Sequence, residues 1–231
     1  MNKFDKIYIL HLAESKERYN HILDLQSKYD FFKNADIWWT TKRKISDDIA
    51  DNIYSLKTTW LEICKQHTPN VYGNVFNCSL EHYTMIKSCY LRGFEHICIM
   101  EDDVTINSNV SNELVNAYIE QIPDDYDFLL LYNNLYRVEH SYDELGIIHE
   151  VPDCFEYKND GDFFSLSSID FFGTTAYCLN RNGMKAYIDS ADNNFCPADL
   201  NRINIDMTNY KQYITNYKIF DIINDESTIE H

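Results

Sequence analysis

The chain has 231 residues, of which 45% are hydrophobic and 15% aromatic, and its formal net charge is -17 at pH 7. This composition supports one sizeable folded domain with a buried core, and it excludes a largely disordered chain. The acidic balance argues against nucleic acid or an anionic membrane surface as the main partner, because both carry charge of the same sign.

Seven cysteines are spread along the chain without a CxxC pair or a zinc-type spacing. Most of them lie among apolar neighbours, where a reduced thiol packs as a small hydrophobic group. The N-terminal apolar run is too short for a signal peptide, and no stretch approaches the ~20 apolar residues that span a bilayer. We therefore expect reduced core cysteines, no transmembrane segment and a cytoplasmic location.

The N-terminal part of the chain alternates apolar runs with segments of helical periodicity. Lys6–Leu12 is rich in β-branched and aromatic residues and predicts a strand. The segment from Ser15 to about Tyr29 carries apolar residues at helical spacing and predicts a helix. Ala35–Thr41 predicts a second strand, and helical spacing returns from Ser46 to about Lys65.

The middle of the chain repeats this alternation with stronger signals. CSLEHYTMIKSCYLRGF predicts a helix that ends at Gly93, and His96–Met100 predicts a buried strand. A further helix is predicted over Asn109–Gln121. The nearly continuous apolar run Asp125–Tyr132 is typical of a strand that is covered on both faces.

The C-terminal part begins with polar and aromatic segments over Asn133–Ser168, which predict loops and an antiparallel pair. Phe171–Leu179 predicts another strand, Asn180–Ala191 a turn and a helix, and the tail one more strand. The β-α-β alternation predicts an α/β fold with a mainly parallel central sheet and helices on both faces. The absence of a linker or repeat predicts a single domain over residues 1–231.

Three consecutive acids, Glu101, Asp102 and Asp103, follow the strand His96–Met100 directly. Ligands of open α/β sheets bind at the carboxyl ends of strands, so these acids lie where a site is expected. In an extended chain Glu101 and Asp103 share one side and Asp102 faces the other. Their oxygens suit magnesium or manganese. The alternative is a solvated acidic loop, in which water dilutes the repulsion.

The segment NCSLEHYTMIKSCYLRGFEHICIMEDDV resembles the core of glycosyltransferase family 25, which includes lipooligosaccharide and collagen galactosyltransferases. The family pattern has a Gly-Cys, a Ser-His, a helix, a Gly-x-Glu and an apolar strand that ends in Glu-Asp-Asp. Corresponding positions here are Cys78, His82, Gly93, Glu95 and the three acids. Asn77 and Glu81 depart from the pattern, since they replace the usual glycine and serine.

Weaker similarities to this family extend over nearly the whole chain and keep the same order. The segment that contains His11 and Arg18 resembles the opening strand of the family and the arginine downstream of it, although His11 replaces an asparagine. FGTTAYCL is similar to a Gly-Thr-x-x-Tyr strand, and Pro197 with Asp199 is similar to a Pro-x-Asp motif. Ser227 corresponds to a serine in the terminal segment.

The resemblance implies a GT-A type, Rossmann-like fold, a UDP-sugar donor and a divalent metal, Mn²⁺ or Mg²⁺. It assigns Asp103 and Glu101 to the metal, and it places Glu101 and Asp102 beside the donor. The remaining candidates for contacts to the donor are His11, Arg18 and Thr40. His11 is equally consistent with a packed core histidine, and Arg18 with a surface arginine.

Asp199 and His82 are the candidates for a direct role in the reaction. Asp199 is interpreted either as a helix N-cap or as the base that removes the proton of the acceptor hydroxyl. A lone histidine on a helix is often structural, but the motif position of His82 also supports a catalytic role.

The resemblance thus predicts transfer of a hexose, with galactose as the expected sugar, from a UDP-sugar to a glycan acceptor. The reaction would serve surface polysaccharide or lipooligosaccharide synthesis, with inversion at the anomeric carbon. Peripheral association with a membrane through a lipid-linked acceptor is compatible with the absence of a transmembrane segment. A non-catalytic domain that binds a nucleotide or glycan is the alternative. A receiver domain is disfavoured, since its acid pair would come much earlier in the chain.

Overall fold

The computed structural model describes residues 3–43, 71–132, 155–158, 163–166, 174–193, 195, 198, 209–215, 217 and 219–223. The predicted helix from Ser46 to Lys65 and the candidate residue Asp199 lie outside these ranges, as do Pro197 and Ser227. Among the described residues, no helix combines the length and apolar character required to cross a bilayer.

The described residues form ten strands and five helices that alternate along most of the chain. The strands are β1 Lys6–Leu12, β2 Ala35–Thr40, β3 His96–Glu101, β4 Val104–Ile106, β5 Phe128–Leu130, β6 Phe155–Lys158, β7 Phe163–Leu166, β8 Ala176–Asn180, β9 Gln212–Thr215 and β10 Phe220–Ile222. The helices are α1 Lys16–Lys28, α2 Asp30–Lys33, α3 Val71–Leu91, α4 Asn112–Glu120 and α5 Arg181–Asn193.

Eight of these strands form one sheet in the order β2-β1-β3-β8-β5-β9-β7-β6. β1 pairs in parallel with β2 and β3, and β5 pairs in parallel with β9. β8 runs antiparallel to β3 and β5, and β7 runs antiparallel to β6 and β9. Six strands therefore share one direction, and β7 and β8 oppose them. The sheet is mainly parallel, as predicted.

Strand alternation divides the core into two clusters, one on each face of the sheet. Ile7 and Ile9 of β1 pack with residues of α1, α2 and α4 on one face. Tyr8 and Leu10 pack with residues of α3 and α5 on the other. Helices thus cover both faces, and the predicted α/β fold class is confirmed.

The structure adds elements that the sequence did not predict. β4 was not predicted, and it pairs in a separate antiparallel sheet with β10, which is the strand predicted in the tail. This pairing brings the end of the described chain beside the acids. β9 was also not predicted, although it is buried between β5 and β7. The predicted antiparallel pair within Asn133–Ser168 is confirmed by β6 and β7.

Candidate active site

The candidate site lies at the carboxyl ends of β1, β2 and β3, which are adjacent and parallel in the sheet. A pocket of about 120 Å³ opens there, between these strand ends and helix α3. Residues that line it include Arg18, Thr40, Cys78, Glu81, Glu101 and Asp102. Three separate segments of the chain therefore supply the predicted site residues to one cavity, as expected for an open α/β sheet.

Asp102 is buried and uses both carboxylate oxygens within the protein. Its Oδ2 lies 2.8 Å from Nδ1 of His11 and accepts the backbone N–H of Leu12 at 3.1 Å. Its Oδ1 accepts a hydrogen bond from Arg18 at 2.5 Å. Arg18 is itself buried, and a buried guanidinium requires such a partner. Asp102 thus links the end of β3 to β1 and α1 by hydrogen bonds, and its side chain lies on the opposite face of the sheet from that of Glu101.

Asp103 lies in the turn between β3 and β4, because the strand ends at Glu101. The prediction that strand alternation puts Glu101 and Asp103 on one side is therefore wrong, because Asp103 is outside the strand. Its Oδ2 lies 3.5 Å from Arg18, which is also the partner of Asp102. Its Oδ1 is buried without a hydrogen-bond partner. Burial and the charge of Glu101, together with that of Asp102, raise the pKa of Asp103 to about 7 despite Arg18. An unpartnered carboxylate oxygen close to a second acid fits a hard divalent cation.

Glu101 faces the opposite side of the sheet, toward α3. Its Oε1 accepts a hydrogen bond from the hydroxyl of Thr174 and lies 3.3 Å from Nε2 of His82. Burial would raise the pKa of Glu101, but the adjacent His82 and the hydrogen bond from Thr174 outweigh it and hold the pKa below its usual value. Glu101 therefore remains an ionised carboxylate at neutral pH.

His82 is fully buried, and its ring lies between Glu101 and Tyr177. Nδ1 is 2.8 Å from the hydroxyl of Tyr177, whose pKa burial raises well above its ordinary value. Tyr177 therefore stays a neutral phenol. Cys78 lies one turn earlier on α3, and the ligand atoms of Cys78, His82 and Glu101 all lie within 4.8 Å of one another.

Asn77 and Glu81, the two departures from the pattern of the core segment, act together at the rim of the pocket. Glu81 forms an ion pair with Arg43 at 2.6 Å and accepts a hydrogen bond from Nε1 of Trp38 at 3.2 Å. Asn77 donates a hydrogen bond to the backbone carbonyl of Arg43 at 2.9 Å. Sequence reasoning missed Arg43, although the basic run TKRK that follows β2 was a visible signal.

His11 packs within an aromatic cluster beside the pocket. Its ring stacks on Tyr19 at 5.7 Å and meets Trp39 edge-on at 5.1 Å, while Trp39 remains 54% exposed. Thr40 lines the pocket, as does Thr41. The structure thus brings Arg18, Thr40, Glu101 and Asp102 together at the pocket. Asp103 lies in the turn that follows and is not part of the pocket lining, and His11 and His82 are buried beside it.

The fold and the site define an α/β protein with an acid-lined ligand pocket at its strand ends. The chain belongs to glycosyltransferase family 25, described as LPS biosynthesis protein, whose pattern matches residues 4–206. Membership of this family makes the protein a glycosyltransferase by class.

Two solved structures are similar to the chain over almost all of its length. The first is a glycosyltransferase involved in the glycosylation of the major capsid of PBCV-1, with a TM-score of 0.44 and 10% identity, covering 96% of this chain and 94% of that one. The second is A197 from STIV, with a TM-score of 0.40 and 9% identity, covering 97% of each chain. No curated protein matches the sequence.

Proposed function

We propose that the protein transfers a hexose, with galactose as the first candidate, from a UDP-sugar to a glycan acceptor. The acceptor would belong to a surface polysaccharide or lipooligosaccharide, and the reaction would occur on the cytoplasmic side of the membrane. The observation that carries this proposal is the pocket at the strand ends, where Arg18 and Glu101 meet. A diphosphate requires cationic partners, of which the guanidinium of Arg18 is one and a cation held by Glu101 would be another.

The donor site that we propose includes a divalent cation, Mn²⁺ or Mg²⁺. Asp103 and Glu101 would hold it, because Asp103 retains an unpartnered buried oxygen and both oxygens of Asp102 are already bonded. When bound, the cation would neutralise charge on the diphosphate. Asp102 then has a positioning role, since it orients the guanidinium of Arg18 toward the pocket.

For the reaction itself, we propose direct displacement with inversion at the anomeric carbon. The acceptor hydroxyl attacks this carbon, UDP departs, and the carboxylate of Asp199 accepts the hydroxyl proton. Arg18 and Thr40 contact the donor from the pocket wall. His82 acts on the reaction through Glu101, because its ring contacts Glu101 and Tyr177.

A non-catalytic domain that binds a nucleotide or glycan is the second candidate. It is favoured by the size of the pocket, about 120 Å³, which is below the roughly 300–1,000 Å³ typical of small-molecule sites. The pocket formed by the described residues accommodates part of a nucleotide sugar.

The first experiment is a thermal shift measurement with UDP, with and without Mn²⁺, followed by UDP release from a panel of nucleotide sugars. We expect UDP to stabilise the protein only with Mn²⁺, and Asp103→Ala to abolish this effect. Asp199→Asn should retain the shift and lose transfer. The absence of any shift with UDP and Mn²⁺ would exclude the donor site. A shift without turnover of any donor would favour the non-catalytic domain.

A further inference from the structure

We propose that Cys78, His82 and Glu101 form a second cation site, selective for a thiophilic divalent metal such as Zn²⁺. This site shares Glu101 with the proposed hard-cation site, but its other two donors are the thiol of Cys78 and the imidazole of His82 in place of the carboxylate of Asp103. Metal binding there does not require sugar transfer, so the inference goes beyond the proposed function.

The first argument is the geometry of the three side chains. Cys78 and His82 are four residues apart on α3, which places them on one face of the helix. Glu101 at the end of β3 faces them, and the three ligand atoms lie within 4.8 Å of one another. Ligands at about 2.0–2.3 Å from a tetrahedral zinc ion lie roughly 3.3–3.8 Å apart. The 3.3 Å between His82 Nε2 and Glu101 Oε1 matches such an edge.

The second argument is the unpartnered nitrogen of His82. The residue is completely buried, and its Nε2 makes no hydrogen bond although it lies 3.3 Å from Oε1 of Glu101. Nδ1 is held by Tyr177 at 2.8 Å, so Nε2 is the nitrogen left to bind a ligand. In the tautomer that donates Nδ1–H to Tyr177, the lone pair of Nε2 lies close to an anion, which is unfavourable unless a cation lies between them. A metal ion would satisfy both atoms.

The surroundings of the three residues complete the pattern of a metal site. Tyr177 contacts the second nitrogen of His82, and Thr174 donates a hydrogen bond to Glu101. Outer partners of this kind orient metal ligands and set their tautomers. Cys78 and Glu101 also line the pocket, so a fourth coordination position would open toward it. Three protein ligands with one open position are typical of zinc sites that bind a water or a substrate.

The donor set also predicts which metal is preferred. A thiolate and an imidazole favour Zn²⁺ or Co²⁺, whereas carboxylate oxygens alone favour Mg²⁺ or Mn²⁺. Zn²⁺ should therefore bind in the presence of excess Mg²⁺. Asp103→Asn should still bind Zn²⁺ through the same three ligands, because Asp103 is not one of them.

The test is titration of the metal-free full-length chain with Co²⁺, in which a thiolate-to-cobalt charge-transfer band reports coordination by cysteine. Zn²⁺ affinity is then measured by displacement of Co²⁺. We expect one equivalent to bind with this band, Cys78→Ala to abolish the band, and Tyr177→Phe to weaken Zn²⁺ binding by roughly 10–100-fold. Cys89→Ala is the matched control, since Cys89 lies on the same helix and is buried away from the pocket.

Two results would overturn the proposal. One is the absence of a charge-transfer band in the unmodified chain. The other is a band that persists in Cys78→Ala, which would assign the cobalt to another cysteine. Cys78 is only half-buried, so its replacement by alanine should leave the fold intact. Failure of UDP to bind would leave these readouts unaffected, and the two proposals therefore fail separately.

Discussion

Asp102 and Asp103 are neighbours in the chain, but they have opposite effects on stability. Asp102 accepts three hydrogen bonds and neutralises the buried Arg18, whereas Asp103 keeps one buried oxygen without a partner. We expect Asp102→Asn to lower the free energy of unfolding by about 2–4 kcal/mol, because it removes the charge that Arg18 requires. Asp103→Asn should be neutral or stabilising, because it relieves repulsion between like charges.

Urea denaturation of both variants measures this contrast. The two substitutions are isosteric and lie one residue apart, so each serves as the control for the other. Equal destabilisation by both would contradict the assigned roles. Loss of UDP and Mn²⁺ binding in Asp103→Asn without loss of stability would further support Asp103 as the ligand of the proposed hard cation.

Cys89 provides a pH-dependent prediction at the same scale. Burial raises the pKa of this thiol from 9.0 to about 11. Between these values the unfolded chain releases the proton and the folded chain keeps it, so the free energy of unfolding falls as pH rises from about 9 to about 11. The loss is on the order of 2 kcal/mol and is absent below pH ~9. Urea denaturation of Cys89→Ala should show a correspondingly shallower decline, and an unchanged slope would contradict the prediction.

At the scale of elements, two positions require glycine for different reasons, Gly183 because of close packing and Gly93 because of its backbone conformation. A Cβ at Gly183, near the start of α5, would lie 2.0 Å from the carbonyl oxygen of Asp127. Gly93 follows α3 with φ +80, and a Cβ there would meet no atom within 4 Å. We expect Gly183→Ala to lower the free energy of unfolding by about 3 kcal/mol or more, because backbone must move. Gly93→Ala should cost only about 1–2 kcal/mol of conformational strain.

Urea denaturation of the two alanine variants tests this prediction, because a shift in the midpoint with an unchanged m-value measures the change in the free energy of unfolding. Gly93→Asn is the additional control, since asparagine tolerates the left-handed conformation better than alanine and should lose less stability. Equal effects of alanine at the two positions would show that α5 can withdraw from Asp127 without cost.

Elements with a strong local pattern were predictable, and those that depend on distant partners were not. β1 has the predicted bounds because a long run of β-branched and aromatic residues specifies it. Val104–Ile106 has only three residues after the acids, and it becomes a strand through pairing with Phe220–Ile222. β9 carries Gln212 and Thr215 into a buried strand, so hydrophobicity alone does not identify it.

At the scale of the whole molecule, the same distinction applies to the site. Sequence reasoning placed the acids at a strand end because that position follows from the α/β alternation. It could not show that both carboxylate oxygens of Asp102 are bonded to His11 and Arg18, which are 91 and 84 residues away in the chain. The contact of His82 with Glu101 likewise requires α3 to pack across the end of β3. These are tertiary contacts that no local periodicity encodes.

The charge of the whole molecule leads to the last prediction. The chain has 37 acidic and 20 basic residues, so the folded state concentrates uncompensated negative charge. Exposed ion pairs such as Lys28 with Asp24 contribute little to stability, so their weakening by salt is the smaller effect. Raising NaCl from about 0.01 M to about 0.15 M shortens the screening length from ~30 Å to ~8 Å and should raise the thermal midpoint.

Magnesium chloride at matched ionic strength separates this screening from binding of a cation. Screening acts equally in both salts, whereas occupancy of a site adds stabilisation with Mg²⁺ alone. We expect the excess effect of Mg²⁺ to disappear in Asp103→Asn, while the effect of NaCl remains. A thermal midpoint that falls with NaCl would show that the described ion pairs outweigh the net charge. An excess effect of Mg²⁺ that persists in Asp103→Asn would place the bound cation elsewhere on the acidic surface.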